Sequence, residues 1–344
     1  MAKIVRFHRL GGPEVLKIED VPSREPAKGE VSLSVQAIGL NRAESMFMHG
    51  HYLELPKFPA TLGYEASGIV TTIGANVDPS WLNKRVSTIP AFSMNQYGVL
   101  GNEVIVPAHA LADYPSSLTP AEATSIWMQY LTPYGALVEF GRVKKGEFVL
   151  ITAASSSTGV AAIQIVKSEG AISIATTRTA AKRDELLALG ADHVVVTNNE
   201  DLVARVKDIT GGTGARIIFD PIAGPLLDKL AEAAAPGATI FEYGWLSGAP
   251  TPFPPVLAMQ KALNIRGYWL AEITVPELLN GHGTAGLADP QRLARAKSYV
   301  YNRVKTGQLK PKIAKTFPFE DVVQAYQYME SNEQVGKIVV TVGH

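Results

Sequence analysis

The sequence predicts an α/β protein in which a doubly wound parallel sheet is inserted into a mostly antiparallel β domain. At 344 residues the chain exceeds what one hydrophobic core usually covers, so two domains are expected. Its first third consists of short strand patterns separated by Gly, Pro and Asn turns. From Glu147 onward, apolar strands alternate with amphipathic helices, which is typical of a parallel sheet covered on both faces.

We expect residues 1–126 and 271–344 to form the β-rich domain and residues 127–270 to form the parallel-sheet domain. The first strand patterns are KIVRF, VLKIEDV, EVSLSVQAIGL, SGIVTTIG, KRVSTIP and NEVIVP. The later ones are FVLITAA, AISIATT, HVVV, ARIIFD and ATIFEY. Gly170 and Gly190 follow two predicted helices, where a left-handed cap favours glycine. The alternation fades after IRGYWL, and a helix in PFEDVVQAYQYMES and a strand in GKIVVTV return the tail to the first domain.

The composition excludes several classes of function. Lysine and arginine number 32, and aspartate and glutamate also 32, so no global field attracts nucleic acid or an acidic membrane surface. The absence of cysteine excludes disulfides, thiolate catalysis and sulfur-ligated zinc. No apolar run approaches the roughly 18 residues of a membrane helix, and the N-terminus lacks an export pattern. We therefore expect a cytoplasmic protein that binds neither nucleic acid nor a membrane.

A turn of small hydroxyl residues follows the first strand of the parallel-sheet domain. It consists of Ser155, Ser156, Ser157, Thr158 and Gly159, and a helix begins directly after it. Backbone N–H groups and the helix dipole attract a pyrophosphate there, and small side chains let it approach. The turn lacks a G-x-G-x-x-G pattern, and a polar N-cap of an ordinary helix is the alternative interpretation. Its position after the first strand favours a dinucleotide site.

The end of the second strand favours NADPH over NADH. An NAD-binding chain usually carries Asp or Glu here, which bonds the ribose hydroxyls. This strand instead ends at Thr177 and is followed by Arg178 and Lys182, which can hold a 2′-phosphate. A solvated basic helix start is the alternative.

These motifs together resemble the medium-chain dehydrogenase/reductase superfamily, and within it the zinc-free quinone oxidoreductase (zeta-crystallin-like) branch. The resemblance covers essentially the whole chain and rests on these segments: GLNRAE (39–44), FPATLGYEASGIV (58–70), AFSMNQYGVLGNEVIVPA (91–108), FVLITAASSSTGVAAIQ (148–164), LGADHVV (189–195) and GKIVV (336–340). It implies a Rossmann NADPH-binding domain inserted into a GroES-like domain.

The resemblance also implies that both zinc ions of the alcohol dehydrogenases are absent. Asn41 and Tyr64 stand where those enzymes place a Cys and a His ligand, and the cysteine-rich lobe has no counterpart here. Without a Lewis acid, activated acceptors remain: quinones and enones, whose own carbonyl takes up the charge. Asn41, Tyr52 and Tyr64 match pocket positions that supply a hydrogen bond to the developing oxyanion. Packing roles for the tyrosines, and a turn role for Asn41, are the alternatives.

Other coenzyme positions are carried over from the same resemblance. They are Thr132, Tyr243, Gly244 and Gly336. It also implies a homodimer paired through edge strands, for which IRGYWL is the candidate. Two other hypotheses remain open: a zinc-free alcohol or carbonyl reductase of the same superfamily, and a coenzyme-binding protein without turnover, such as a crystallin or an RNA-binding factor.

Two further patterns are interpreted as decoys. Tyr301 and Lys305 match the Tyr-x-x-x-Lys of short-chain dehydrogenases, but lie near the C-terminus on a predicted surface helix. His49 and His51 flank a glycine without a third fixed ligand, which is typical of polar loop residues rather than of a metal site.

Overall fold

A computed structural model describes residues 1–275, 289 and 291–343 of the chain. The chain divides into two compact units, Met1–Met128 with Pro311–His344, and Gln129–Lys310. The sequence-based boundary at residue 270 therefore lies earlier than the end of the second unit. The end of the strand alternation suggested that boundary, but a later helix still packs within the second unit: Tyr299 donates a hydrogen bond to Glu169 Oε1 at 2.7 Å, and Arg303 pairs with the same carboxylate at 2.9 Å.

The strands and helices of the described residues follow the predicted order. The strands are β1 (Ala2–Phe7), β2 (Lys17–Val21), β3 (Glu30–Gly39), β4 (Ala60–Thr61), β5 (Glu65–Ile73), β6 (Arg85–Thr88), β7 (Glu103–Pro107), β8 (Leu111–Ala112), β9 (Phe148–Ile151), β10 (Ile172–Thr177), β11 (His193–Val196), β12 (Ala215–Asp220), β13 (Ala234–Glu242), β14 (Asn264–Gly267), β15 (Ile313–Pro318) and β16 (Lys337–Thr341).

The helices are α1 (Arg42–Met48), α2 (Pro120–Ala123), α3 (Trp127–Pro133), α4 (Ser157–Ser168), α5 (Arg183–Ala188), α6 (Leu202–Ile209), α7 (Leu226–Ala233), α8 (Pro255–Lys261), α9 (Ala271–Thr274), α10 (Arg292–Lys305) and α11 (Val322–Ser331), and a π-helical segment covers Tyr134–Phe140.

The second unit contains a six-stranded parallel sheet in the order β11-β10-β9-β12-β13-β14. Its buried strands are apolar on both faces because helices cover them, and Leu150, Ile218 and Ile240 lie in one core cluster. Gly170 and Gly190 adopt φ of +70° and +107°, which confirms the predicted left-handed caps. The chain reverses its direction of growth between β9 and β12, and ligands bind at this switch point in doubly wound sheets.

The first unit contains a seven-stranded sheet in the order β15-β16-β3-β5-β6-β8, with β7 paired to β3, and a three-stranded sheet β2-β1-β4. Most pairs are antiparallel, as predicted, and β15 and β16 are parallel. The predicted tail strand β16 pairs with β3, so this strand lies in the first unit. The long β3 is almost wholly buried, so it forms the centre of this unit.

Candidate functional site

The predicted phosphate turn lies between β9 and α4 in the second unit. Ser156 is the N-cap of α4, and its hydroxyl accepts a hydrogen bond from the Gly159 N–H at 3.0 Å. Ser157 and Thr158 form the first helical turn rather than the loop, so their N–H groups have no intrahelical acceptor. A Cβ on Gly159 would lie 2.6 Å from the Ala154 backbone, which explains the glycine by close packing of strand against helix.

The structure brings one predicted cation to this turn. Lys182 Nζ donates to Ser155 Oγ at 3.1 Å, although 27 residues separate them. Thr177 is buried at the end of β10, and Arg178 follows it as an exposed side chain. The neighbouring Arg183 instead forms an ion pair with Glu200 at 3.4 Å. The Lys182 ammonium group lies beside the N–H groups at the start of the 12-residue helix α4. Together they are the kind of donors that bind a phosphate.

Three polar side chains that the sequence analysis did not select lie at the carboxyl ends of β9, β12 and β13. Thr152 donates its hydroxyl to the Asp220 carboxylate, and Asp220 also accepts the Ala223 N–H at 2.6 Å. Glu242 is the register partner of Asp220 on the next strand. Burial, and then the Asp220 charge, raise the pKa of Glu242 to about 9. Asp220 ends the predicted strand ARIIFD and Glu242 is the penultimate residue of ATIFEY, and these positions were the signal available in the sequence.

The remaining predicted coenzyme residues of this unit lie in two places. Tyr243 and Gly244 follow β13, where the Tyr243 ring stacks on Phe219 with centroids 4.0 Å apart. Among the described residues the buried Tyr243 hydroxyl has no hydrogen-bond partner, and burial raises its pKa. Thr132 is buried in α3.

Asn41 belongs to a buried polar network in the first unit. It caps α1, and Lys337 Nζ donates to its Oδ1 at 2.6 Å and to Glu65 Oε2 at 2.5 Å. The Asn41 amide donates to Gly39 O and to Glu44 Oε1, each at 3.1 Å. Both amide hydrogens are thus engaged within the unit. This arrangement does not support the predicted role of Asn41 as a donor to substrate, and instead makes it an organiser of the network.

Glu44 connects this network to Tyr64. Its carboxylate accepts the Tyr326 hydroxyl at 2.7 Å, the Asn41 N–H at 3.0 Å and the Tyr64 N–H at 3.2 Å. Burial raises the pKa of Glu44, although these hydrogen bonds act in the opposite direction. The two backbone hydrogen bonds, from Asn41 and Tyr64, fix the backbone at these residues relative to each other.

The structure brings Tyr52 and Tyr64 together. Tyr64 is buried, and burial raises its pKa, with a further rise from its hydrogen bond to Tyr52. Tyr64 is therefore protonated throughout the neutral range. Tyr52 is the more exposed member of the pair. The pair therefore places the protonated phenol of Tyr64 beside Tyr52, which lies at the outer end of the pair.

Gly336 lies in the first unit at the start of β16. Its φ is +101°, and a Cβ there would meet the Lys312 carbonyl oxygen at 2.3 Å. Backbone geometry alone therefore requires glycine at this position, and its contact with coenzyme stays a prediction.

Two profiles of protein families match the chain. Residues 27–116 match the alcohol dehydrogenase GroES-like domain, and residues 157–280 match a domain described as zinc-binding dehydrogenase. The chain is 28% identical to the synaptic vesicle membrane protein VAT-1 homolog of Rattus norvegicus over 97% of this chain and 82% of that protein. It is also 28% identical to the 2-haloacrylate reductase of a Burkholderia species over 99% and 98% of the two chains.

Among solved structures, Escherichia coli quinone oxidoreductase complexed with NADPH matches with a TM-score of 0.87 at 27% identity, over 98% of this chain and 99% of that one. The chain belongs to the medium-chain dehydrogenase/reductase superfamily. The full-length match confirms the quinone oxidoreductase branch and the Rossmann and GroES-like architecture that the sequence motifs indicated. As a member of the medium-chain dehydrogenase/reductase superfamily, the protein is an oxidoreductase of the reductase type.

Two kinds of feature are absent from the described ranges. No helix there is long and apolar enough to cross a membrane. No group of three His, Asp or Glu side chains in the same ranges is arranged to hold a metal ion.

Proposed function

We propose that this protein is an NADPH-dependent, zinc-independent reductase that transfers hydride to quinones or α,β-unsaturated carbonyl compounds. The observation that carries the proposal is the contact of Lys182 Nζ with Ser155 Oγ at the start of α4. It places a cation against the turn that begins the coenzyme helix, in a chain related to reductases that include an NADPH-bound structure. The quinone and enone classes are supported by the names of the relatives, quinone oxidoreductase and 2-haloacrylate reductase.

The second unit offers separate groups for the separate parts of NADPH. The N–H groups of Ser157 and Thr158 suit the pyrophosphate, because the helix dipole adds to their partial positive charge. Lys182 and Arg178 suit the 2′-phosphate that distinguishes NADPH from NADH. Thr177 ends the strand where an NAD-binding chain carries an acid, so that position places no carboxylate against the phosphate.

Zinc does not fit the residues that stand at the superfamily's ligand positions. The Lys337 ammonium already contacts the Asn41 and Glu65 oxygens inside the buried network. A divalent cation there would be repelled by that ammonium, and Tyr64 in its protonated form is a poor ligand. We expect elemental analysis of the purified protein to find no stoichiometric zinc.

The tyrosine pair supplies what an activated acceptor requires from the protein. When bound, NADPH would supply a hydride to the quinone or enone, and the carbonyl oxygen of that acceptor would take up the resulting negative charge. Tyr52, supported by Tyr64, donates a hydrogen bond to that oxygen. The raised pKa of Tyr64 keeps its proton in place throughout the neutral range.

A spectrophotometric assay tests this function. In separate reactions, purified protein is supplied with NADPH or NADH and a quinone, enone or enal, or with NADP⁺ and a secondary alcohol. We expect NADPH oxidation with at least one quinone, enone or enal. Turnover of secondary alcohols with NADP⁺ alone would indicate an alcohol dehydrogenase instead, and coenzyme binding without any turnover would contradict an enzymatic function.

Substitution of Tyr52 by phenylalanine is expected to lower kcat about 10- to 100-fold, because one hydrogen bond to the oxyanion is lost. The affinity for NADPH, measured by fluorescence titration, should change less than about threefold, because Tyr52 is assigned to the acceptor. Tyr97→Phe, which removes a hydroxyl bonded to Glu30, is the matched control. An unchanged kcat in Tyr52→Phe would assign the tyrosine to packing.

We also propose a homodimer that pairs through β14. This strand ends the six-stranded sheet, so one of its edges has no partner among the described strands. Exposed apolar side chains precede it, with Phe253 62% and Met259 75% exposed. A second copy of the chain would cover both features. Light scattering should give twice the monomer mass for the native protein and a smaller mass for Met259→Glu with Val256→Glu, and a native monomer would refute the pairing.

A further inference from the structure

Two acids lie side by side where β12 and β13 end. Asp220 and Glu242 are register partners on neighbouring parallel strands, so their side chains leave the sheet on the same face. Asp220 is fully buried. Both Glu242 carboxyl oxygens are buried, and neither has a hydrogen-bond partner among the described residues. Because burial and the Asp220 charge raise the pKa of Glu242 to about 9, Glu242 is protonated at neutral pH.

The charged surroundings of this pair are simple in the part of the chain that the structure describes. From β9, Thr152 contributes a hydroxyl that donates to Asp220. From β14, the register partner of Glu242 is Gly267, which has no side chain. The phenol of Tyr243 lies near Asp220, whose charge contributes to the raised pKa of that tyrosine. No described lysine, arginine or histidine forms an ion pair with either acid. A proton on Glu242 is therefore what prevents two negative charges from lying side by side.

The loops that follow these strands are bonded to each other just beyond the pair. Leu246 N–H donates to Pro221 O at 2.9 Å, and Ser247 N–H donates to Ile222 O at 3.0 Å. Tyr243 N–H donates to the backbone oxygen of Asp220 at 2.9 Å. Both loops lie at the carboxyl edge of the sheet, where a doubly wound fold binds its ligand. A change in the distance between the two strand ends would therefore change the positions of both loops at the ligand-binding edge.

We propose that Asp220 and Glu242 form a positioning pair for the coenzyme, in which one proton on Glu242 holds the loops 221–224 and 243–247 in the arrangement that binds NADPH. Loss of that proton leaves two buried carboxylates on adjacent strands, and their repulsion separates the loops. The inference rests on the proposed function, because it assigns a second determinant of coenzyme binding to the same unit. NADPH affinity should therefore fall as the pH rises through the alkaline range.

Fluorescence titration of the native protein with NADPH tests the pair between about pH 7 and about pH 10. We expect the Kd to rise about 5-fold or more over this range, the usual lower size of a coupling between two sites. Glu242→Gln cannot lose a proton, so its Kd should change much less. Asp220→Asn removes the opposing charge and should also flatten the profile. Asp228→Asn, an exposed acid on α7, should keep the native profile.

Stability supplies a second measurement, independent of NADPH. The pKa of Glu242 is raised above its ordinary value of 4.5, so between these values the folded protein holds a proton that the unfolded chain has released. This group therefore costs no stability below its ordinary pKa, and its contribution falls as the pH rises toward about 9. The free energy of unfolding should decline over that range in the native protein and less steeply in Glu242→Gln.

The outcomes separate this inference from the proposed function. Native protein that binds NADPH equally well across the whole range overturns the positioning pair and leaves the function intact. A Glu242→Gln protein with the native pH profile overturns it as well. Native protein that binds no NADPH at any pH overturns both.

Discussion

Replacing both Arg178 and Lys182 by alanine is expected to weaken NADPH binding by about 100-fold or more and to leave NADH binding nearly unchanged. Each charge-assisted bond to a phosphate contributes about 1.5–3 kcal/mol, and each 1.4 kcal/mol corresponds to a factor of ten in Kd. NADH lacks the 2′-phosphate, so it loses nothing when these cations are removed. Calorimetric titration with each coenzyme measures both affinities on the same protein.

Arg183→Ala is the matched control for this pair of substitutions. It removes a neighbouring cation that already pairs with Glu200 on the protein, so NADPH affinity should stay within about threefold of the native value. If Arg178→Ala with Lys182→Ala weakened NADPH and NADH equally, these cations would act on the shared pyrophosphate. If neither affinity changed, the basic segment would be only a solvated helix start.

Substitution of Lys337 by methionine is expected to destabilise the first unit by about 3–5 kcal/mol, because it leaves the Glu65 carboxylate buried without its cation. Both side chains are completely buried, and Lys337 Nζ lies 2.5 Å from Glu65 Oε2. Glu65 Oε1 also accepts the Trp127 and Met128 N–H groups at 3.0 and 2.8 Å. Urea denaturation measures the change in the free energy of unfolding.

A double-mutant cycle separates the ion pair from the loss of packing. Glu65→Gln combined with Lys337→Met removes both charges and should recover part of the stability lost in Lys337→Met alone. Lys28→Met, at an exposed lysine of the same unit, should change stability by less than about 0.5 kcal/mol. Equal stability of the native protein and Lys337→Met would mean that the buried pair contributes nothing net.

The spacing of apolar residues predicted most of the fold, because it differs between the β-rich domain and the parallel-sheet domain. The parallel strands are continuous apolar runs. The glycines after α4 and α5 mark the helix ends because they adopt a left-handed backbone conformation that is unfavourable for other residues. The position of α10 could not be predicted from that pattern. Its place in the second unit depends on pairs such as Arg303 with Glu169, which lie far apart in the chain.

Prediction of the site succeeded where local sequence carries the geometry. The turn at 155–159 is set by residues next to one another, whereas the contact of Lys182 with Ser155 depends on how β10 and α5 are placed. For Asn41 the prediction from local sequence did not hold. Its position matches the family pattern, but its side-chain amide already bonds partners as far along the chain as Lys337. The raised pKa of Glu242 could not be predicted from the sequence, because it depends on burial and on Asp220 in the neighbouring strand. A single sequence does not show which strands are neighbours.

The parallel pair β15 and β16 has a consequence for the order in which the protein is made. β16 joins the sheet beside β3, so the first unit lacks this strand, and the cation of its buried network, until the ribosome has passed Thr341. The second unit is continuous in sequence and can assemble earlier during translation. During translation the N-terminal segment therefore exposes apolar surface until β16 is made. We expect its folding to depend on chaperones more than that of the coenzyme domain does.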